Sequence, residues 1–244
     1  MAWSSASFKH FCEVCETLSQ EKSKKKRAQL VADYLKELCP DDARIASRFL
    51  LGAVLSRGRK INIGGSTFLD ALGDLTPLST EAIEQAFSHS VDFGEAVAEM
   101  MASVPKTSSR LSLKDVEHFF EHIQAQSGQG STLRRKALLT RLLSQVSSSE
   151  AKWIAKIVTS EMRHGVNLGI FIDALAILAG TPREIVEDAV MVTGNPDELA
   201  SSLLRQGGNF LARLTPSVFT PSVSYTHLRA HETRHDLVCR LLLE

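Results

Sequence analysis

"STFLDAL" (Ser66–Leu72) and "GIFIDAL" (Gly169–Leu175) say nearly the same thing 103 residues apart. The likeness extends in a constant order. Downstream at the same shift, "AIEQAF" (Ala82–Phe87) matches "IVEDAV" (Ile185–Val190), and Glu95 matches Glu198. Upstream the shift is 108: "KRAQLVADYLKEL" (Lys26–Leu38) overlays "RRKALLTRLLSQV" (Arg134–Val146), and "FKHF" (Phe8–Phe11) overlays "VEHF" (Val116–Phe119). Ordered matches over such a span mark an internal duplication. The halves run over about 7–103 and 112–206, with "SVPKTSSRLS" (Ser103–Ser112) as the connector.

Within each half the apolar residues recur at helical spacing. Leu30, Val31, Tyr34, Leu35 and Leu38 form one stripe; Trp153, Ile154, Ile157 and Val158 form another. Ser147 with Glu150 and Thr181-Pro182 with Glu184 read as capping boxes, and Asn195-Pro196 with Glu198 repeats the arrangement. The expectation is an all-α fold, a duplicated helical domain of about twelve short helices in two pseudo-repeats.

Of the 244 residues, 43% are apolar, which allows a sizeable core. No apolar run approaches the roughly 20 residues that span a bilayer, and the N-terminus lacks the pattern of a secretory signal. Cys12, Cys15, Cys39 and Cys239 do not make a disulfide framework, so a reducing, cytoplasmic setting is expected. Cys12-x-x-Cys15 continues the apolar face of Phe8 and Phe11 and reads as core rather than as a redox or zinc motif.

Charge is balanced in sum, with 28 basic and 28 acidic residues, but uneven in place. "KSKKKR" (Lys22–Arg27), "RGRK" (Arg57–Lys60) and "RRK" (Arg134–Lys136) are compact basic clusters. "GQGSTLRRK" (Gly128–Lys136) runs from glycines into a helix beginning near Ser131 or Thr132. Free N–H groups at such a start, with cations beside them, can hold a phosphate. An ordinary capped loop with a solvated basic turn explains the same residues. "EMRHGVNLG" (Glu161–Gly169) and "SRGRKINIGG" (Ser56–Gly65) combine cations and glycine at equivalent places in the two halves. Jointly these loops suggest a surface that reads a nucleic-acid backbone. Few exposed aromatics are expected, which favours duplex over single-strand binding.

These residues resemble the N-terminal DNA-binding domain of ATP-dependent DNA ligases. The resemblance runs from Phe8 to about Arg205, on "LVADYL", "RFLLGAVL", "INIGGSTFLDAL", "GQGSTLRRKALLTRLL" and "SEAKWIAKIVTSEMRHGVNLGIFIDALA" in family order. It implies a monomeric helical domain, cytoplasmic or nucleoid-associated, that lies on the minor groove across a nick and holds both flanking duplexes by their backbones. Such binding is independent of sequence. Carried over by position, the implied DNA contacts are Lys60, Gly64, Gly130, Ser131, Thr132, Arg135, Lys136, Arg163, His164 and Gly165. The family's chemistry uses ATP, magnesium and a K-x-D-G lysine in a following nucleotidyltransferase domain. No K-x-D-G occurs here, so no catalytic residue is assigned and these residues alone are expected to be inactive. "LARLTPSVFTP" (Leu211–Pro221) resembles the linker into that domain.

The last stretch carries His227, His231, His235 and Cys239 at four-residue spacing, which on a helix is one face of metal ligands. "VSYTHLRAHET" (Val223–Thr233) also resembles the translation of a transposase-type sequencing adapter, in a frame that continues to Glu244. Residues from about Ser222 are therefore read as adapter read-through, with no native structure and no zinc role. The alternative to DNA binding is a helical-repeat scaffold for protein partners, in which the basic loops are merely solvated.

Overall fold

The structure is a computed structural model that describes residues 6–214, apart from 57, 58, 60, 77, 78, 103 and 105–109. The adapter-like tail and most of the linker-like stretch lie outside the described residues. Among those described are twelve α-helices, one 3-10 helix (Gly208–Arg213) and no strand, so the fold is all-α. The first six helices are α1 (Phe8–Gln20), α2 (Lys24–Glu37), α3 (Pro40–Leu50), α4 (Gly65–Gly73), α5 (Thr80–His89) and α6 (Phe93–Met101). The second six are α7 (Leu113–Ala125), α8 (Ser131–Leu143), α9 (Ser148–Thr159), α10 (Leu168–Ala179), α11 (Arg183–Thr193) and α12 (Pro196–Gln206).

The helices interleave. The most extensive packing is α6 on α9, α2 on α10 and α3 on α12, with α4 on α8 completing the set. In each case a helix of the first six lies on one of the second six. Where the two series meet, aromatic rings run from Phe8 to Phe11, Phe49 and Phe120, with successive centroids 5.8, 6.0 and 5.8 Å apart. Above them Ser7 and Ser112, the caps of α1 and α7, form an isolated antiparallel bridge.

That bridge corrects the sequence register at the start of the repeat. The buried residues Phe8, Phe11, Cys15 and Leu18 of α1 correspond to Leu113, Val116, Phe120 and Ile123 of α7. The shift there is 105, not the 108 that the overlay of "FKHF" on "VEHF" suggests. Two phenylalanines a turn apart on an amphipathic helix match in more than one register. Burial, not residue type, distinguishes them. Cys12 and Cys15 are buried and free, within the core.

Ser147 and Glu150 form the expected capping box: the Ser147 N–H donates to the Glu150 carboxylate at 2.9 Å and the Glu150 N–H to Ser147 Oγ at 3.3 Å. The other two starts differ. Pro182 itself caps α11 with no side-chain bond, so the helix begins one residue later than expected, and Thr181 Oγ1 is buried without a partner. Asn195 stands at the cap of α12, but its amide donates back to the Thr193 carbonyl.

The stripe in α9 is more than a stripe. From Glu150 to Val158 every residue is buried, lysines included. Lys152 reaches Glu16 at 2.9 Å and Glu95 at 2.8 Å, while Lys156 pairs with Asp92, whose side chain is 4% exposed. Both ammonium groups lie 5.4 Å from the Trp153 ring centroid. Burial alone would push the Lys152 pKa down, but Glu95 and Glu16 outweigh it and the net shift is upward. The closeness of α6 to α9 depends on Gly94: a Cβ there would stand 2.6 Å from Lys156 Cγ and 2.9 Å from the Lys152 carbonyl oxygen.

Candidate nucleic-acid interface

Most helices here begin with an acidic residue in the first turn, where the carboxylate offsets the positive end of the helix dipole. Helices α3, α5, α6, α7, α9, α11 and α12 all do. Helices α1, α2, α4, α8 and α10 do not. Four of those five form the two mated pairs, α2 with α10 and α4 with α8. Three of them, α4, α8 and α10, are the helices that the basic glycine loops enter. Lys22, Lys24, Lys25 and Lys26 stand exposed around the start of α2, where the Glu21 carboxylate accepts the Ser23 N–H at 2.8 Å and lies 3.9 Å from Lys26.

Helix α8 starts at Ser131, as the sequence suggests, and its cap is Gly130 in the left-handed region at φ 74°. No side chain caps its amides, and Thr132 and Leu133 are exposed, the latter at 71%. The cations that follow are held. Arg134 donates to the Gln126 side chain at 2.9 Å and to the Gln129 and Ser127 carbonyls at 3.0 and 2.8 Å, clamping the glycine loop. The half-buried Arg135 donates to the Gln126 carbonyl at the end of α7. Lys136 pairs with Asp74 at 2.8 Å, holding that carboxyl below its usual range. Asp74 is the C-cap of α4, and Gly64 is the exposed N-cap at the opposite end. Nine helical residues, about 13 Å of rise, separate the two.

The "MRHGV" loop comes to the Gly64 end. Arg163, left-handed at φ 48°, donates to the Val91 carbonyl at 3.1 Å and lies 3.5 Å from Glu161; its side chain remains 52% exposed. Val91 leads through Asp92 into Phe93, whose ring edge is 4.0 Å from where a Gly65 Cβ would be. Gly64 and Arg163, 99 residues apart in sequence, are thus linked through the α5–α6 turn. Lys60 lies outside the described residues.

His164 is elsewhere. It is fully buried, with its ring 6.1 Å from that of Trp153. Its Nδ1 accepts the Val166 N–H at 3.1 Å. Nε2 lies against the Leu50 carbonyl without a hydrogen bond of ordinary geometry. Burial lowers its pKa to about 4, with Lys156 and Arg27 adding to the effect and the Leu50 carbonyl opposing it. It is a neutral core histidine that supports the loop from beneath, which corrects its place among the surface contacts.

Gly165 is covered by a residue that the sequence places with a solvated basic run. The Arg27 guanidinium lies on it, donating to the Gly165 carbonyl and the Leu18 carbonyl, each at 3.3 Å. A Cβ on Gly165, at φ 79°, would fall 2.3 Å from Arg27 Cζ. Gly165→Ala should therefore cost about 1–2 kcal/mol of strain at the backbone and displace Arg27 as well. Urea unfolding of the variant beside the unsubstituted chain measures the loss. The role of Arg27 is invisible in sequence because its partner is 138 residues away.

Among the described residues no three His, Cys, Asp or Glu side chains gather as a metal site. No helix among them is long and apolar enough to cross a membrane.

The family model described as "DNA ligase N terminus" matches residues 7–176, from the start of α1 into α10. A DNA ligase of Methanothrix thermoacetophila is 30% identical over 230 residues, covering 86% of this chain and 42% of that protein. A probable DNA ligase of Koribacter versatilis is 27% identical over 211 residues, covering 86% and 36%. DNA ligase 2 of Methanosarcina mazei is 27% identical over 227 residues, covering 88% and 40%. The chain spans about two-fifths of the length of these relatives. The matched residues include α2, α4, α8, most of α10 and the loops that lead into them, and by them the chain belongs to the DNA ligase N-terminus family.

Proposed function

We propose that this chain holds nicked duplex DNA through its backbone and minor groove, as the N-terminal part of an ATP-dependent ligase that seals nicks in repair, recombination or replication. The observation that carries the reading is the pairing of helix starts that lack an acid, α2 with α10 and α4 with α8. Helix N-termini without an acid attract phosphates through their amides and their dipoles, and they impose no preference among bases; those of α4 and α8 also have no side-chain cap, whereas Ser23 caps α2 and Asn167 caps α10. The phosphate-facing groups are the amides from Gly130 to Thr132, the Gly64 end of α4, Arg163 and the lysines of α2. Arg135 and Lys136 serve by holding α8 against α7 and α4, with Lys136 also adding charge beside the DNA. Gly165 serves by seating Arg27.

We assign ATP and Mg2+ to the remainder of a longer enzyme. The present 244 residues carry no K-x-D-G lysine to take the adenylate, so no chemical step is derived for them.

Fluorescence anisotropy on nicked duplex DNA across a salt series tests the reading. The log–log slope should be steep, about −0.9 for each phosphate contacted. Lys24→Gln, Lys25→Gln and Lys26→Gln together should flatten it by about two contacts' worth without altering the fold. A salt-insensitive signal, or a slope unchanged by the triple substitution, overturns the interface as drawn.

A further inference from the structure

Helix α7 carries two histidines that neither the core nor the DNA-facing loops use. His118 and His122 are both exposed and four residues apart, and their ring centroids are 3.9 Å from each other at an interplanar angle of 52°. Among the described residues neither ring has a hydrogen bond or an ion pair; each faces only the other. We propose that His118 and His122 form a two-imidazole chelate for a late first-row divalent cation, with Cu2+ preferred and water completing the coordination.

The geometry is prepared by the helix. Residues at i and i+4 stand one above the other on a helix face, and paired histidines at this spacing are a recurrent metal grip. Imidazole nitrogens bind such metals at about 2.0–2.1 Å, so two on adjacent coordination positions lie about 3 Å apart. Rings at 3.9 Å need only small side-chain rotations to reach that arrangement. The backbone beneath them is fixed. At one end Ser112 and Asp115 form a capping box, and at the other Arg135 holds the Gln126 carbonyl. On the far face Val116, Phe120 and Ile123 are buried.

The local charge suits a cation. Glu121 is exposed and one turn from His118, and nearby Glu117 is already paired with Arg48. Lys114, one turn before His118, leans toward the buried Asp42 at 3.7 Å. Neutral nitrogen donors favour Cu2+ over Ni2+ and Zn2+ by the Irving–Williams order. Because the two nitrogens converge only while α7 is helical, the metal binds the folded chain in preference to the unfolded one.

The experiment is calorimetric titration of the full chain with CuCl2, combined with electron paramagnetic resonance. The chain carries His227→Ala, His231→Ala, His235→Ala and Cys239→Ser so that the tail supplies no ligands. One Cu2+ with two imidazole nitrogens is expected. At metal about 100-fold above Kd the melting temperature should rise by about 5 °C. His118→Gln and His122→Gln, each alone, should weaken binding at least about tenfold, since a chelate needs both rings. Retention of the affinity and the two-nitrogen spectrum in either single variant overturns the proposal. Both positions are exposed, so the metal-free variants should melt with the parent. Should one not fold, the spectrum of the parent decides alone: two imidazole nitrogens support the site, and one or none refutes it.

Discussion

Asp92→Ala should remove on the order of 4 kcal/mol from the stability of the domain. Asp92 does two jobs. Its Oδ1 accepts the Glu95 N–H at 3.1 Å, capping α6, and its other oxygen pairs with Lys156 inside the contact between α6 and α9. Burial alone would raise the Asp92 pKa, but Lys156 and the Glu95 and Gly94 amides more than offset this and hold it below its ordinary value. Loss of the cap costs about 1 kcal/mol. The larger share comes from leaving Lys156, whose side chain is 5% exposed, without an anion; breaking a buried pair from one side costs about 3–5 kcal/mol. Asp92→Asn separates the contributions, because it keeps a capping oxygen and removes the charge. Chemical unfolding of both variants is the measurement. If Asp92→Ala falls within about 1 kcal/mol of the parent, the pair does not hold the helices together.

The second large effect follows pH. His164 is neutral in the folded chain, with its pKa lowered to about 4 from an ordinary 6.5. Between those values the unfolded chain takes up a proton that the folded chain refuses. Stability contributed by the neutral ring is complete above pH 6.5 and declines as pH falls, by about 1.4 kcal/mol per unit, levelling near pH 4. The total is about 3 kcal/mol, and the upper part of the window lies above the range in which ordinary carboxylates titrate. His164→Gln, which cannot charge, should flatten the slope from pH 6.5 to 5. Unfolding free energies at half-unit intervals would show it, and an equal slope in both proteins would sink the assignment. Because His164 stands between Arg163 and Gly165 in sequence and against Trp153 in space, the same acid range should loosen the loop proposed to meet DNA.

These two residues show where sequence reading succeeds and where it stops. The apolar spacing of α9 and the Ser147–Glu150 box are local patterns, set by a helix's own period, and both are present as read. The start of α8 at Ser131 is equally local. What periodicity cannot show is which helix lies opposite. Lys156 reads as an exposed lysine until α6, 64 residues earlier, is brought onto it. His164 looks like a loop residue among cations, and only Trp153 and the Leu50 carbonyl make it core. The basic clusters were legible as clusters. That Arg134, Arg135 and Arg27 bond to carbonyls while Lys24 and Lys25 stay exposed at the start of α2 was not, because the distinction rests on which partners come within reach.

The interleaving of the helices has a consequence for how the chain reaches this state. Each series of six lends its last helix to the other, α6 to α9 and α12 to α3. This is the topology of an exchanged dimer whose two copies have become one polypeptide. The repeat in the sequence therefore does not correspond to two bodies in space. Neither series can complete its core before the other has been made, so the decisive contacts join distant parts of the chain and must await closure of long loops. Folding should therefore be committed late and as a whole. The four helix starts proposed to meet DNA come from both series, and they exist as a surface only once that exchange is finished.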